Sequence, residues 1–428
     1  MTANAGRRMR VLFTCIDHTT HFHSMVPLAW AMRLAGHEVR VAAQPGLAET
    51  ITGAGLTAVP LGSDHTVWEH QAALAGQPGN APRIDFTDLL DGAPDFADLL
   101  GLWTILTPTV FAPLNDLFVD ELTEYAQHWK PDLVLWEPFT YAGGVAATVC
   151  GARHARLLWG ADVLGRSRRA LLGALDRMPP EHHDDPLGEW LGWTLHRYGC
   201  TFDEDVAFGH WTIEVEPPSL RLPTDEHVLS TRYVPYNGPS RVPDWLRNPP
   251  DVPRVCVTLG VSARDGKAGV HSVPPGELLH AVADLGVEVV ATLTAEQAET
   301  LGRLPDSVRV VDRVPLHALL PHCDAIVHHG GAGTWGTALH YAVPQVIVPE
   351  IWDAPLKARM LADTGAGLTE PVGGLTTESL REAVRRVLTE PEFSEAARRL
   401  RAEMEDQPGP AELAAELQRL VLRSGRSA

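Results

Sequence analysis

Over its first sixty residues the sequence changes period again and again, from strand to helix and back. Residues 11–16 are a continuous apolar run, the pattern of a strand buried on both faces. A helical stretch follows and ends at Leu34-Ala35, with Gly36 as its C-terminal stop. Residues 38–43 read as a second strand, 47–54 as a short helix closed by Gly55, and 56–59 as a third strand. A β-α-β-α-β run of this kind implies a parallel sheet with right-handed crossovers. The pattern resumes with a strand at 133–136, a helix at 141–150 and a strand at 155–158.

Six prolines crowd into the nineteen residues 235–253, which excludes both helix and central strand there. This segment reads as a linker. Behind it the alternation restarts, with strands expected at 254–260, 288–292, 308–311, 325–328 and 345–348 and helices from about Thr377 onward. The expected organisation is an N-terminal unit over 1–234, the linker 235–253, and a C-terminal unit over 254–428 whose last helix is a candidate to pack back on the first unit. Two open parallel sheets joined in this way place a ligand between their C-terminal strand edges. The polar, weakly periodic stretch 63–108 is expected to run over the mouth of the first sheet. A charged helical segment, 166–215, carries Trp190, Trp193 and Trp211, which read equally as a candidate partner surface or as packing onto the domain's own core.

A formal charge of −19 argues against nucleic acid and anionic membranes as partners. No signal peptide or membrane span stands out, so a cytoplasmic location is expected. The five cysteines are odd in number and widely spaced, with no C-x-x-C, which speaks against a disulfide framework or a zinc site. Cys15, Cys150 and Cys256 sit in apolar runs and read as small core residues.

Chemistry concentrates in two places. At 326–337 a buried strand ends in His328-His329-Gly330-Gly331-Ala332-Gly333-Thr334, with a helix expected from about Thr334. Helix N-termini offer unpaired N–H groups and the positive end of a dipole to phosphate, and the glycines let the backbone come close. A histidine at the strand end can add a hydrogen bond to the same phosphates. About twenty residues on, a strand leads into Trp352-Asp353, a pair suited to a sugar, carboxylate to hydroxyls and indole to the apolar ring face. Asp353 is equally placed as a helix N-cap.

With these motifs the chain resembles the inverting GT-B glycosyltransferases, and more narrowly the actinomycete deoxysugar transferases that decorate macrolide and anthracycline antibiotics. The likeness runs along nearly the whole chain: Val26-Pro27-Leu28-Ala29-Trp30, Gly36-His37-Glu38-Val39, Trp136-Glu137-Pro138-Phe139, Tyr236-Asn237-Gly238-Pro239 and Val314-Pro315-Leu316-His317 all belong to it. It implies an α/β fold of the GT-B type, two Rossmann-like domains facing across a cleft. By resemblance, His329, Gly331, Gly333 and Thr334 would hold the donor diphosphate, Ser262 would also face it, and Val314 and His317 would lie against nucleobase and ribose. Trp352 and Asp353 would contact the donor sugar. The wider superfamily has an acid followed by glutamine near that place; here Ala354 follows, which weakens any case for a glucose donor. The resemblance further implies a TDP-sugar donor, a hydrophobic polyketide aglycone as acceptor and a cytochrome-P450-like auxiliary protein. A homodimer is among the assemblies expected.

The base is sought in the loop after the first strand, Asp17-His18-Thr19-Thr20-His21-Phe22-His23, where a histidine of near-neutral pKa can take a proton from an acceptor hydroxyl. His21 matches the histidine that the subfamily keeps before Val-Pro-Leu and is preferred; His18 and His23 stay open. Glu137, ending another strand on the same sheet edge, is the supporting acid or an acceptor contact. Asp203-Glu204-Asp205 and His182-His183-Asp184-Asp185 look metal-like but lie outside the strand ends, so no cofactor and no metal is expected. The competing readings are a catalytically inactive homologue that serves as a binding subunit, and a sugar-nucleotide epimerase of the same fold.

Overall fold

The computed structural model describes residues 7–67, 86–87, 94–258, 275–299, 301–349, 352–371 and 374–424. Two sheets organise them. The first contains β1 (Arg10–Thr14), β2 (Glu38–Ala43), β3 (Ala58–Pro60), β4 (Leu133–Trp136), β5 (Arg153–Leu157), β6 (Trp211–Glu214) and β7 (Val228–Ser230), in the order β3-β2-β1-β4-β5-β6-β7. The second contains β8 (Arg254–Thr258), β9 (Glu288–Thr292), β10 (Val308–Val311), β11 (Ala325–His328), β12 (Gln345–Ile347) and β13 (Gly367–Thr369), in the order β10-β9-β8-β11-β12-β13. Every pairing is parallel.

Strand order reverses between β1 and β4 in the first sheet and between β8 and β11 in the second. Crossovers leave to opposite faces at such a point and open a crevice at the C-terminal strand ends. The loops after β1, β4 and β11, where the sequence concentrates its chemistry, therefore all emerge at crevice positions.

Both faces of the first sheet are covered, which is why its central strands are continuous apolar runs. Leu12, Val134 and Trp136 point into a core shared with the helix Phe96–Leu106 and its continuation, through Trp103, Phe111 and Leu114. Val11, Phe13 and Leu135 point to the other side, where the helices Thr19–Leu34 and Pro410–Ser424 lie. The latter, the last described helix, buries Leu413, Ala414, Leu417 and Val421 in that core. At roughly 1.5–3 kcal/mol for each fully buried large aliphatic side chain, it ties the C-terminal segment firmly to the first sheet.

Several expectations need correction. Residues 63–108 are not uniformly polar and weakly periodic: the described part contains Phe96–Leu106, and 96–115 is long and apolar enough to cross a membrane by length and composition. Its Leu99, Trp103, Leu106, Val110, Phe111 and Leu114 are buried in the first core, which accounts for that composition. The segment 166–215 is not one helical surface. It holds helices Val163–Leu175 and Pro186–His196 and then strand β6, which begins at Trp211. Trp211 is buried, Trp190 donates to Asp116 at 3.1 Å, and Trp193 alone of the three is well exposed, at 69%. Cys15 and Cys256 are core residues as expected, whereas Cys150 is half-buried. The helix after the glycine turn starts at Ala332, two residues earlier than expected.

Candidate active site

His21 lies in the first turn of helix Thr19–Leu34, directly after β1. Its Nδ1–H donates to Glu137 Oε2 at 3.0 Å, and Glu137, just past the end of β4, is fully buried. Three more donors converge on that carboxylate: the Phe139 N–H at 3.0 Å, the Trp159 indole N–H at 3.1 Å and the Thr140 hydroxyl. Thr140 Oγ1 in turn accepts the Ile16 N–H at 2.9 Å, stitching the ends of β1 and β4 together. Burial alone would raise the Glu137 pKa. The charge and hydrogen bond of His21, with Thr140 and the Phe139 N–H, outweigh it and hold the carboxyl below its ordinary range. An ionised carboxylate on Nδ1 fixes the tautomer and leaves Nε2 as the basic nitrogen. Trp159 and Phe139 wall the ring, with centroids 4.8 and 5.2 Å away.

The two rival histidines are placed differently. His18 pairs through Nδ1 with Thr20 Oγ1 at 2.9 Å, its ring 4.4 Å from that of His21. His23 meets the linker residue Tyr236 edge-on at 5.1 Å, and burial pushes its pKa down to about 4.

In the second domain the two histidines of the glycine motif separate into two jobs. His328 is buried; its Nδ1 accepts the Gly330 N–H at 3.1 Å, so its Nε2–H donates to Gln345 Oε1 at 2.8 Å. Burial lowers its pKa to about 3 and keeps it neutral. It locks the turn. His329 folds over Gly331, where a Cβ would stand 2.8 Å from its Nε2, so the ring sits at the start of helix Ala332–His340. Gly330 has φ +93°, and a Cβ there would come within 2.7 Å of Ala354 Cβ, so the turn requires glycine. Thr334 is buried in the helix's first turn, and Gly333 lies on the same turn, its carbonyl accepting the Tyr233 hydroxyl at 3.1 Å.

Trp352 and Asp353 face the first domain. The Trp352 ring packs 5.4 Å from Phe139 and 5.9 Å from Phe86, on a backbone with φ +59°, the left-handed region that is costly for a bulky residue. Asp353 forms an ion pair with Lys357 at 3.0 Å and lies so close to Gly160, next to Trp159, that a Cβ there would be 2.8 Å from Asp353 Oδ2. As N-cap of helix Ala354–Thr364 it makes no side-chain capping bond. His317 is held by the linker: its backbone N–H and Nδ1–H both donate to Asn237 Oδ1, each at 3.0 Å. Val314 is packed among Leu319, Ile326 and Val343. Ser262 lies outside the described residues.

The structure thus joins His21 to Glu137, and brings Trp352 onto the Phe139 wall of that pair. Sequence reasoning missed Thr140 and Trp159 as partners of Glu137. Trp159 had a readable signal, since it follows β5, the neighbour of β4, on the same sheet edge. Of the acidic cluster, Glu204 pairs with the buried Arg168, and among the described residues no group of three or more His, Cys, Asp or Glu side chains converges.

Residues 30–260 match the Erythromycin biosynthesis protein CIII-like N-terminal domain, and 276–420 the C-terminal domain of the same description. The chain belongs to this family. It is 52% identical to 10-deoxymethynolide desosaminyltransferase of Streptomyces venezuelae, over 98% of each chain. It is 50% identical to aklavinone 7-beta-L-rhodosaminyltransferase of Streptomyces galilaeus, over 96% of each. Among solved structures, glycosyltransferase VinC in complex with dTDP superposes with a TM-score of 0.86 at 39% identity, covering 97% of this chain and all of that one. The family member described here is a GT-B glycosyltransferase, as the motifs implied.

Proposed function

We propose that this transferase moves a deoxysugar from a TDP-sugar to a hydroxyl of a polyketide aglycone, with inversion at the anomeric carbon and without a metal. The observation that carries the reading is the buried Glu137 carboxylate on His21 Nδ1, at the wall that Trp352 closes from the donor side. His21 Nε2 takes the acceptor proton as the hydroxyl oxygen attacks the anomeric carbon. Glu137 stabilises the imidazolium that results. The diphosphate leaves toward the start of helix Ala332–His340, where His329, Gly331, Gly333 and Thr334 receive it. Trp352 and Asp353 orient the sugar, and Val314 and His317 the nucleoside. Relatives named for amino- and deoxysugar transfer to macrolide and anthracycline acceptors, and a relative solved with dTDP, support the substrate classes.

The auxiliary cytochrome-P450-like protein, the homodimer and a cytoplasmic location belong to the same proposal. Trp193, the exposed member of the three tryptophans, is the contact proposed for the auxiliary protein. The deciding experiment incubates the purified chain with TDP-desosamine or TDP-rhodosamine and a panel of macrolactones and anthracyclinones, with and without such a protein. Glycosylated product is expected, with the anomeric configuration inverted relative to the donor. Binding of TDP without turnover of any donor would favour the inactive-homologue reading instead.

A further inference from the structure

The chain carries 35 basic residues, of which only three are lysines: Lys130, Lys267 and Lys357. Lys357 is 1% exposed and stands in the first turn of helix Ala354–Thr364. Local physics disfavours it twice there. A buried ammonium loses its hydration, and a cation at a helix N-terminus faces the positive end of the dipole. Asp353 offsets part of the cost at 3.0 Å, but Nζ makes no directed hydrogen bond to any described residue, so its N–H donors stay unspent. Buried pairs of this kind are often replaceable by apolar residues without loss of stability, so folding alone does not account for the charge.

Its position supplies another account. A Cβ built on Gly160 would lie 3.7 Å from Lys357 Nζ and 3.7 Å from Ala332 Cβ, so the ammonium is within two contact distances of the first residue of helix Ala332–His340. It also sits 5.8 Å from the centroid of the Trp335 ring, one turn into that helix. Gly160 has no side chain to fill the space between them. A departing nucleoside diphosphate gains negative charge at this helix start, where a low local dielectric strengthens any cation.

We propose that Lys357 is a donor-binding residue: its ammonium, held in readiness by Asp353, contacts a phosphate oxygen of the nucleoside diphosphate at the start of helix Ala332–His340 and stabilises the diphosphate as it leaves. This rests on the proposed nucleotide-sugar reading of the site.

The test uses TDP, which carries no sugar and so does not report on any sugar contact of Asp353. Calorimetric titration compares the wild type with Asp353→Asn/Lys357→Met, a double variant that removes the pair without stranding a buried charge. Thermal unfolding checks that the variant is folded. The expected result is TDP affinity weaker by about tenfold or more, the scale of one lost charge-assisted hydrogen bond, at an unchanged melting temperature. Undiminished affinity in the folded double variant would show Lys357 to be only the counter-ion of Asp353 and overturn the proposal. Failure of the wild type itself to bind TDP would instead overturn the underlying reading. Should the double variant not fold, 15N-lysine-labelled wild type decides. The Nζ resonance of Lys357, one of three, is expected to shift with TDP and not with thymidine; no difference between the two ligands overturns the assignment.

Discussion

At the scale of single residues, the site divides into groups whose chemistry is legible and groups whose partners are not. His21 and Glu137 stand out because each follows a strand at the edge where a parallel sheet binds ligands. Their mutual bond depends on how β1 and β4 are registered, with Thr14 opposite Trp136, and no local pattern encodes a pairing across more than a hundred residues. Trp159 was readable as a residue of the same sheet edge but not as a partner of Glu137, whereas Thr140, three residues on, was missed although its contact is local. The histidine pair of the glycine motif shows the converse: the sequence sets two histidines side by side before the turn, yet His328 has both ring nitrogens committed to Gly330 and Gln345. His21→Ala is expected to lower kcat by about 10²–10⁴-fold, the usual worth of a positioned base, while TDP affinity measured by calorimetry stays within twofold. Glu137→Gln is expected to lower kcat by about 10²-fold with TDP affinity likewise retained, because it removes the charge that supports the imidazolium. His23→Ala, by contrast, is expected to change the melting temperature more than kcat, since that ring packs on Tyr236. A kcat loss in His23→Ala as deep as that in His21→Ala would reassign the base.

At the scale of elements, strands with buried apolar runs announced themselves: β2, β4, β9 and β11 lie where those runs stand, and so does the partly exposed edge strand β10. The elements missed from sequence, β6, β7 and β13, have three or four residues each and carry Thr, Glu, Ser or Gly within them. Such segments become strands because a neighbour offers a parallel edge, as β5 does to β6, and not through any periodicity of their own. The proline-rich segment 235–253 was readable as non-repetitive chain, but not the part it takes in the site. Tyr236 touches His23, two residues from His21; Gly238, at φ +81°, passes close to the same ring; and Asn237 between them accepts both hydrogen bonds from His317. The segment therefore clasps the helix that carries the base and the turn proposed to carry the nucleoside. Asn237→Ala strands two donors at once, at a typical cost of 1–3 kcal/mol for each that is buried. Because His317 is partly exposed and water can replace part of the loss, the donor KM is expected to rise by roughly tenfold, with kcat changed by less than threefold. Steady-state kinetics with varied TDP-sugar checks this, and an unchanged KM would remove His317 from the donor site.

At the scale of the whole molecule, buried titratable groups in the two domains and at their junction set how stability depends on pH. Burial, first of all, keeps His23, His154 and His328 neutral, with pKa values pushed from 6.5 down to about 4, 3 and 3. Groups with lowered folded-state pKa values bind protons only on unfolding once the pH drops below 6.5, so they destabilise the fold on the acid side. Glu214 and Glu216 act in the opposite direction. Burial raises them to about 8 and about 7; the charge of Glu216 adds to the rise of Glu214, and that of Asp353 to the rise of Glu216. Their contribution is complete below the ordinary 4.5 and is lost as pH rises through 7 and 8. Among these five groups, between 4.5 and 6.5 the three histidines outweigh the two acids by about one proton, near 1.4 kcal/mol per pH unit; burial also lowers His37, His210, His317 and His340, which act in the same direction, and stability falls as the pH falls. Above 6.5 the histidine contribution fades and the two acids dominate, so stability falls as the pH rises until both have ionised near 8. A maximum near pH 6.5 follows. Glu216 also accepts the Trp335 indole N–H at 2.9 Å across the domain junction, a bond that favours its ionised form and holds back part of the rise. Melting temperatures measured from pH 5 to 9 are expected to trace this dome. In Glu214→Gln/Glu216→Gln the alkaline decline between pH 7 and 8 should vanish while the acid limb persists and steepens, because the histidines are then unopposed. An alkaline limb that survives in the double variant would place its origin elsewhere in the molecule.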